Sequence, residues 1–239
     1  MLSDLHISDC IAVQAMQQLR ETDFLVSLAA ENIFIKGVVG WVPLCEAHVE
    51  QHIERYAADS TVVGFRHIIQ DEPDDNFMLR SDFNAGIRLL KRYSLKYDLL
   101  VFERHLPQSI AFVDMHPELS IILDHIGKPN IQQAAFDKNW ANNIRELAKR
   151  EHVYCKLSGM VTEVKDADWN IELLQPYFDT VLDAFGSQRL LFGSDWPVCL
   201  LRSDYHQWVS AVQRLLSPLS PSEQAAIMGE NAARVYLNK

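Results

Sequence analysis

An acid, an arginine and several histidines fall just past short apolar runs, a pattern suited to hydrolysis of a small molecule. Asp195 follows Leu190-Leu191-Phe192-Gly193-Ser194 and precedes Trp196-Pro197-Val198. The apolar triplet reads as a short buried strand, the Gly-Ser pair ends it, and the proline forbids a continued ladder. An acid so placed sits at the carboxyl end of a core strand, where α/β folds keep their chemistry. Asp195 also suits a plain turn cap, so the local sequence leaves both roles open. The same placement recurs. Gly64-Phe65-Arg66-His67 closes one run, Leu123-Asp124-His125-Ile126-Gly127-Lys128-Pro129 a second, and Lys156-Leu157-Ser158-Gly159 a third, with His105 slightly further into its own loop. A carboxylate near a histidine holds and deprotonates water, alone or on a bound metal. An Arg-His pair opposite would anchor an anionic or polyhydroxylated substrate and polarise its carbonyl. Each residue singly has a structural explanation; gathered on one face of a parallel sheet they make a site.

Strands must position these groups. The candidates are Cys10–Ala15, Gly37–Val42, Val62–His67, Tyr97–Phe102, Ser120–Leu123, Val153–Leu157 and Leu190–Phe192. They lack strict alternation, as parallel strands covered on both faces do. Helices with apolar stripes lie between them: Val49, Ile53, Tyr56 and Ala57; Trp140, Ile144, Leu147 and Ala148; Ile171, Leu174, Phe178 and Val181. Ser220-Pro221-Ser222-Glu223 starts the last helix with an N-cap, a first-turn proline and a capping-box glutamate. Strand-helix repetition implies a parallel sheet with right-handed crossovers, a barrel or an open doubly wound sheet. No G-x-G-x-x-G follows a strand, which weighs against the dinucleotide-binding form. The runs make seven strand-helix units, one short of a closed eight-stranded barrel.

The 239 residues are 48% hydrophobic and 23% charged, with no linker or low-complexity tract to divide them, so one domain over residues 1–239 is expected. A net charge of -10 with scattered Lys and Arg argues against nucleic-acid binding. Cys10, Cys45, Cys155 and Cys199 lie far apart without a C-x-x-C pair and read as reduced thiols. The start lacks the basic and apolar regions of a signal peptide, and no apolar stretch reaches the length of a membrane span. A cytoplasmic protein without membrane contact is expected.

Three segments, Gly64-Phe65-Arg66-His67, Leu123 to Pro129 and Gly193-Ser194-Asp195-Trp196-Pro197, resemble the amidohydrolase-related family of barrel hydrolases, and its fuconolactonase-like branch in particular. Gly37 to Val42 and Asn231-Ala232-Ala233-Arg234-Val235-Tyr236 fit the same branch. The resemblance implies a TIM-type (β/α)8 barrel that opens a sugar-acid or muconate-type lactone. It makes Asp195 the general base and His125 its partner, with Arg66 and His67 holding substrate and His105 and Trp196 lining the pocket. The family's first strand carries a His-x-His pair, and this sequence has none. Cys10 to Ala15 matches the family's second strand, so the domain is expected to be N-terminally shortened and to lack that first strand. His6 falls in the preceding connection and is no substitute. A divalent metal, zinc, on His125 and Asp195 is then expected only where the first strand is present. The unpaired flanks would leave a gap or be covered by a neighbouring chain in a homo-oligomer. Two alternatives stand beside the lactonase: an inactive barrel remnant, and a metal-dependent decarboxylase of the wider family.

Overall fold

A computed structural model of the chain describes residues 3–5 and 7–238. His6, read above as part of the connection ahead of the first strand, lies outside the described residues.

The apolar runs form a parallel sheet in strict sequence order: β1 (Cys10–Val13), β2 (Ile35–Gly40), β3 (Val62–Ile68), β4 (Lys96–Leu100), β5 (Ile121–Leu123), β6 (Val153–Leu157) and β7 (Leu190–Phe192). Every adjacent pair is parallel. Among the described residues β1 and β7 are the two edges and do not pair with each other. Six helices fill the crossovers: α1 (Leu19–Glu31), α2 (Val49–Ala57), α3 (Ser81–Arg92), α4 (Leu106–Asp114), α5 (Lys138–Leu147) and α6 (Ile171–Phe185). After β7 come α7 (Tyr205–Leu216) and the short α8 (Pro221–Ala225), and then two wider helical turns, Ala226–Glu230 and Ala233–Leu237. The expected capping box holds: Ser220 accepts from the Glu223 amide, and the Ser220 amide donates to Glu223 Oε2 at 3.0 Å.

The two faces of the sheet are filled differently. On the outer face Phe65, Leu99, Ile121, Cys155 and Leu190 pack with helix residues Ile53, Ile87, Phe112, Ile144, Phe178 and Leu215, all buried. Most of each stripe read from sequence is buried, Val49, Ile53 and Tyr56 in α2, Trp140, Ile144 and Leu147 in α5, and Leu174, Phe178 and Val181 in α6, while Ala57 and Ile171 are half-buried. On the concave face Val39, Val63, Ile122 and Leu191 meet Val235 and Tyr236 of the C-terminal turn. The concave face also carries charge, and that charge supports the site. The four cysteines are unpaired, Cys155 and Cys199 buried and the other two half-buried. No helix is long and apolar enough to cross a membrane.

Candidate active site

Two strand ends turn left-handed at the residues of interest. After β5, His125 (φ 53), Ile126 (φ 50), Gly127 (φ 70) and Lys128 (φ 46) are four consecutive left-handed residues, and after β7 Asp195 has φ 53. A side chain with positive φ is uncommon and a β-branched one such as Ile126 is an outlier. Each costs on the order of 1–3 kcal/mol and persists only where the surroundings over-determine it. Here they do. Lys128 N donates to His125 O at 2.9 Å, and Trp140 Nε1 donates to Ile126 O at 2.7 Å. Trp208 Nε1 donates to Gly193 O at 2.9 Å and fixes the other strand end.

The two turns bring His125 to Asp195. His125 Nε2 lies 3.6 Å from Asp195 Oδ1, too long for a direct hydrogen bond and short enough for one water to touch both. The other ring nitrogen, Nδ1, hydrogen-bonds Ser158 Oγ at 2.9 Å. Burial pushes Asp195 up to about 6, with the Lys128 charge opposing it. Burial pushes His125 down to about 3, against the pull of Asp124. At neutral pH the pair is therefore a carboxylate facing an uncharged imidazole. Asp195 is not a turn cap: among the described residues its carboxylate accepts no hydrogen bond, and the Trp196 amide turns to Ser194 Oγ instead.

Glycine sets the approach of the histidine. A Cβ at Gly159 (φ 67) would lie 2.8 Å from His125 Cβ and 2.9 Å from Nδ1. Gly159→Ala is therefore expected to lose about 1–2 kcal/mol, the cost of forcing a side chain into left-handed backbone. It should also lower kcat by up to about 100-fold through a displaced imidazole. Thermal melts and steady-state kinetics read the two effects separately; an unchanged kcat would show that His125 does not need this position.

Beneath the pair runs a buried chain of charges on β3, β4 and β6 and just past β5. Arg66 Nη1 donates to Asp124 Oδ2 at 2.8 Å, and Arg66 Nη2 donates to the Gln14 carbonyl. Lys156 Nζ lies 2.7 Å from Asp124 Oδ1 and also contacts Asp98 Oδ2. Tyr236 OH donates to Asp98 Oδ1 at 2.7 Å. Burial would raise Asp124, but Lys156 and Arg66 outweigh it and hold the carboxyl well below its usual range. Of this network, only Arg66 had been singled out as a site residue from the sequence. The signal was present: Asp98 and Lys156 interrupt otherwise buried strands, at positions whose neighbours Tyr97, Leu99, Cys155 and Leu157 face outward.

Two of the other sequence candidates, His67 and His105, are engaged with their own neighbours. His67 Nε2 hydrogen-bonds Glu72 at 2.7 Å, and Nδ1 accepts from Trp41 Nε1 at 3.4 Å. His105, fully buried, accepts from the Phe102 amide at Nδ1 and contacts Asp75 through Nε2 at 2.9 Å. Both rings have their nitrogens committed to the fold. Trp196 is 53% exposed beside Asp195. Two surface depressions of about 680 and 570 Å3 contain neither His125 nor Asp195.

Parallel strands with an acid and a histidine converging at their carboxyl ends are the arrangement of a barrel-type active site. The chain belongs to the amidohydrolase family, whose pattern it matches over residues 3–237. It is 42% identical over 241 residues to an L-fucono-1,5-lactonase of Burkholderia multivorans, spanning 95% of this chain and 79% of that protein. An L-fucono-1,5-lactonase of Burkholderia ambifaria is 34% identical over 230 residues, spanning 95% and 79%. A crystal structure of a Burkholderia multivorans amidohydrolase with bound zinc superposes with a TM-score of 0.92 at 41% identity, covering all of this chain and 86% of that one.

Zinc in that relative raises the question of fit. Among the described residues no group of three or more His, Cys, Asp or Glu is placed to hold a metal. His125 and Asp195 offer two ligands, and Asp124 is turned onto Lys156 and Arg66. A catalytic zinc takes three protein ligands. The residues present do not complete such a set.

Proposed function

We propose that this chain hydrolyses a small sugar-acid lactone to its open-chain hydroxy acid. One observation carries the reading: Asp195 and His125, each held in costly left-handed backbone at a strand end, face each other across 3.6 Å. The substrate class follows the two Burkholderia relatives, which are named for a sugar lactone. Asp195 takes a proton from water as the oxygen adds to the lactone carbonyl carbon. His125, steadied by Ser158, orients that water through Nε2. Collapse of the adduct breaks the ring C–O bond, and the proton held by Asp195 passes to the departing alkoxide. Trp196 supplies an apolar wall at the mouth. Arg66 and His67, held by Asp124 and Glu72, shape the site from beneath. The seam between β1 and β7 is where the remaining strand of a (β/α)8 barrel would run.

The test is turnover of L-fucono-1,5-lactone and related sugar lactones across pH. Because only the ionised carboxylate accepts the proton, kcat/KM should fall about tenfold per pH unit below about 6. A profile flat to pH 5 would remove Asp195 as the base. Failure to turn over any sugar lactone would overturn the reading and favour the inactive remnant.

A further inference from the structure

Water addition to a lactone carbonyl creates a negative oxygen, which neither Asp195 nor the water it activates can stabilise. His125 has Nδ1 on Ser158 Oγ and turns Nε2 to Asp195. Both terminal nitrogens of Arg66 are bound, one by Asp124 and one by the Gln14 carbonyl. Lys156 is held between Asp98 and Asp124. One ammonium, on the turn that carries His125, is uncommitted. Among the described residues the Lys128 ammonium makes no hydrogen bond or ion pair, and it rests 5.2 Å from the centroid of the Phe102 ring. It ends the same left-handed turn that begins with His125, so a single backbone device aims the histidine and the lysine. An aromatic face steadies a cation without consuming its donors.

We propose that Lys128 is a catalytic residue that binds the lactone carbonyl oxygen, stabilises its negative charge during water addition, and then holds the product carboxylate. The proposal rests on the lactonase reading above. The electron pair of the C=O bond moves to oxygen as water adds and Asp195 takes the proton; it returns as the ring C–O bond breaks. Lys128 keeps its protons throughout.

Lys128→Met and Lys128→Arg test this with L-fucono-1,5-lactone as substrate and its ring-opened acid anion as ligand. Methionine preserves the length and the left-handed cost while removing the charge. Loss of one oxyanion donor lowers kcat by about 100- to 1,000-fold. The expected pattern for Lys128→Met is that fall in kcat with KM within a few-fold, at least tenfold weaker binding of the acid anion by calorimetry, and an unchanged melting temperature. Arg should restore much of both. A wild type that turns over the lactone beside a Lys128→Met variant within threefold of it would overturn the lysine's role and leave the lactonase reading intact. If the wild type turns over no lactone, the lactonase reading fails; anion binding unaltered in Lys128→Met would then overturn the lysine site as well.

Discussion

Asp195→Asn is expected to lose lactone hydrolysis by about 100- to 10,000-fold, the usual range for a positioned general base, and to melt at a higher temperature than the parent at pH 7. Asn is the right replacement because it tolerates the left-handed φ of 53 that Asp195 adopts. The stability gain follows from the buried charge. The carboxyl is raised from 3.8 to about 6 in the folded chain, so the native state holds its proton more tightly than the unfolded state. Stability contributed by that proton is present below about 4 and is lost as pH rises through about 6. Above that range the ionised carboxylate costs the fold about 3 kcal/mol, at about 1.4 kcal/mol per unit. The melting advantage of Asp195→Asn should therefore shrink as pH falls toward 4. A variant that is inactive but no more stable at pH 7 would mean that burial does not set the proton affinity of Asp195.

The opposition of activity and stability at one residue is what a site held under strain looks like. Asp195, His125 and Lys128 all occupy left-handed backbone, and none of that was legible in the sequence. Ile126, a β-branched residue between His125 and Gly127, argues locally for extended chain. The turn exists because Trp140 of α5 takes the Ile126 carbonyl, a tertiary contact no local pattern encodes. The strands, by contrast, were legible from apolar runs, and all appear in the order read. Their bounds shifted by residues at the ends, as β2 begins at Ile35 rather than Gly37. His105 shows where residue type misleads. A histidine past a strand end looked like pocket lining, yet its nitrogens serve the Phe102 amide and Asp75. Its ring fastens the start of α4. Asp98 shows the reverse error, since an acid inside Lys96-Tyr97-Asp98-Leu99-Leu100 carries no motif and was passed over, although it is fully buried.

Asp124→Ala is expected to destabilise the fold more than any other single change in the site, by about 3–5 kcal/mol, the cost of breaking a buried ionic cluster by deleting one partner. Asp124 is fully buried and touches two cations, Arg66 at 2.8 Å and Lys156 at 2.7 Å. With Asp98 the four charges cancel. Deleting Asp124 leaves two cations and one carboxylate on the concave face, with Tyr236 as the nearest further polar partner of Asp98. Both cations have little water to fall back on, because each side chain is only 11% exposed. The imbalance makes a second, sharper expectation. Lys156→Met on top of Asp124→Ala restores neutrality, so the double variant should lose less than the sum of the single losses, by roughly 1 kcal/mol or more. Urea melts of the four proteins measure this directly. A loss below about 1 kcal/mol in Asp124→Ala would mean that solvent reaches the cluster. Additive losses would mean that Lys156 is stabilised by Asp98 alone. Kinetics on the same variants carry the argument to the site: Asp124 immediately precedes His125, so a lost anchor at Arg66 and Lys156 should lower kcat before the fold is lost.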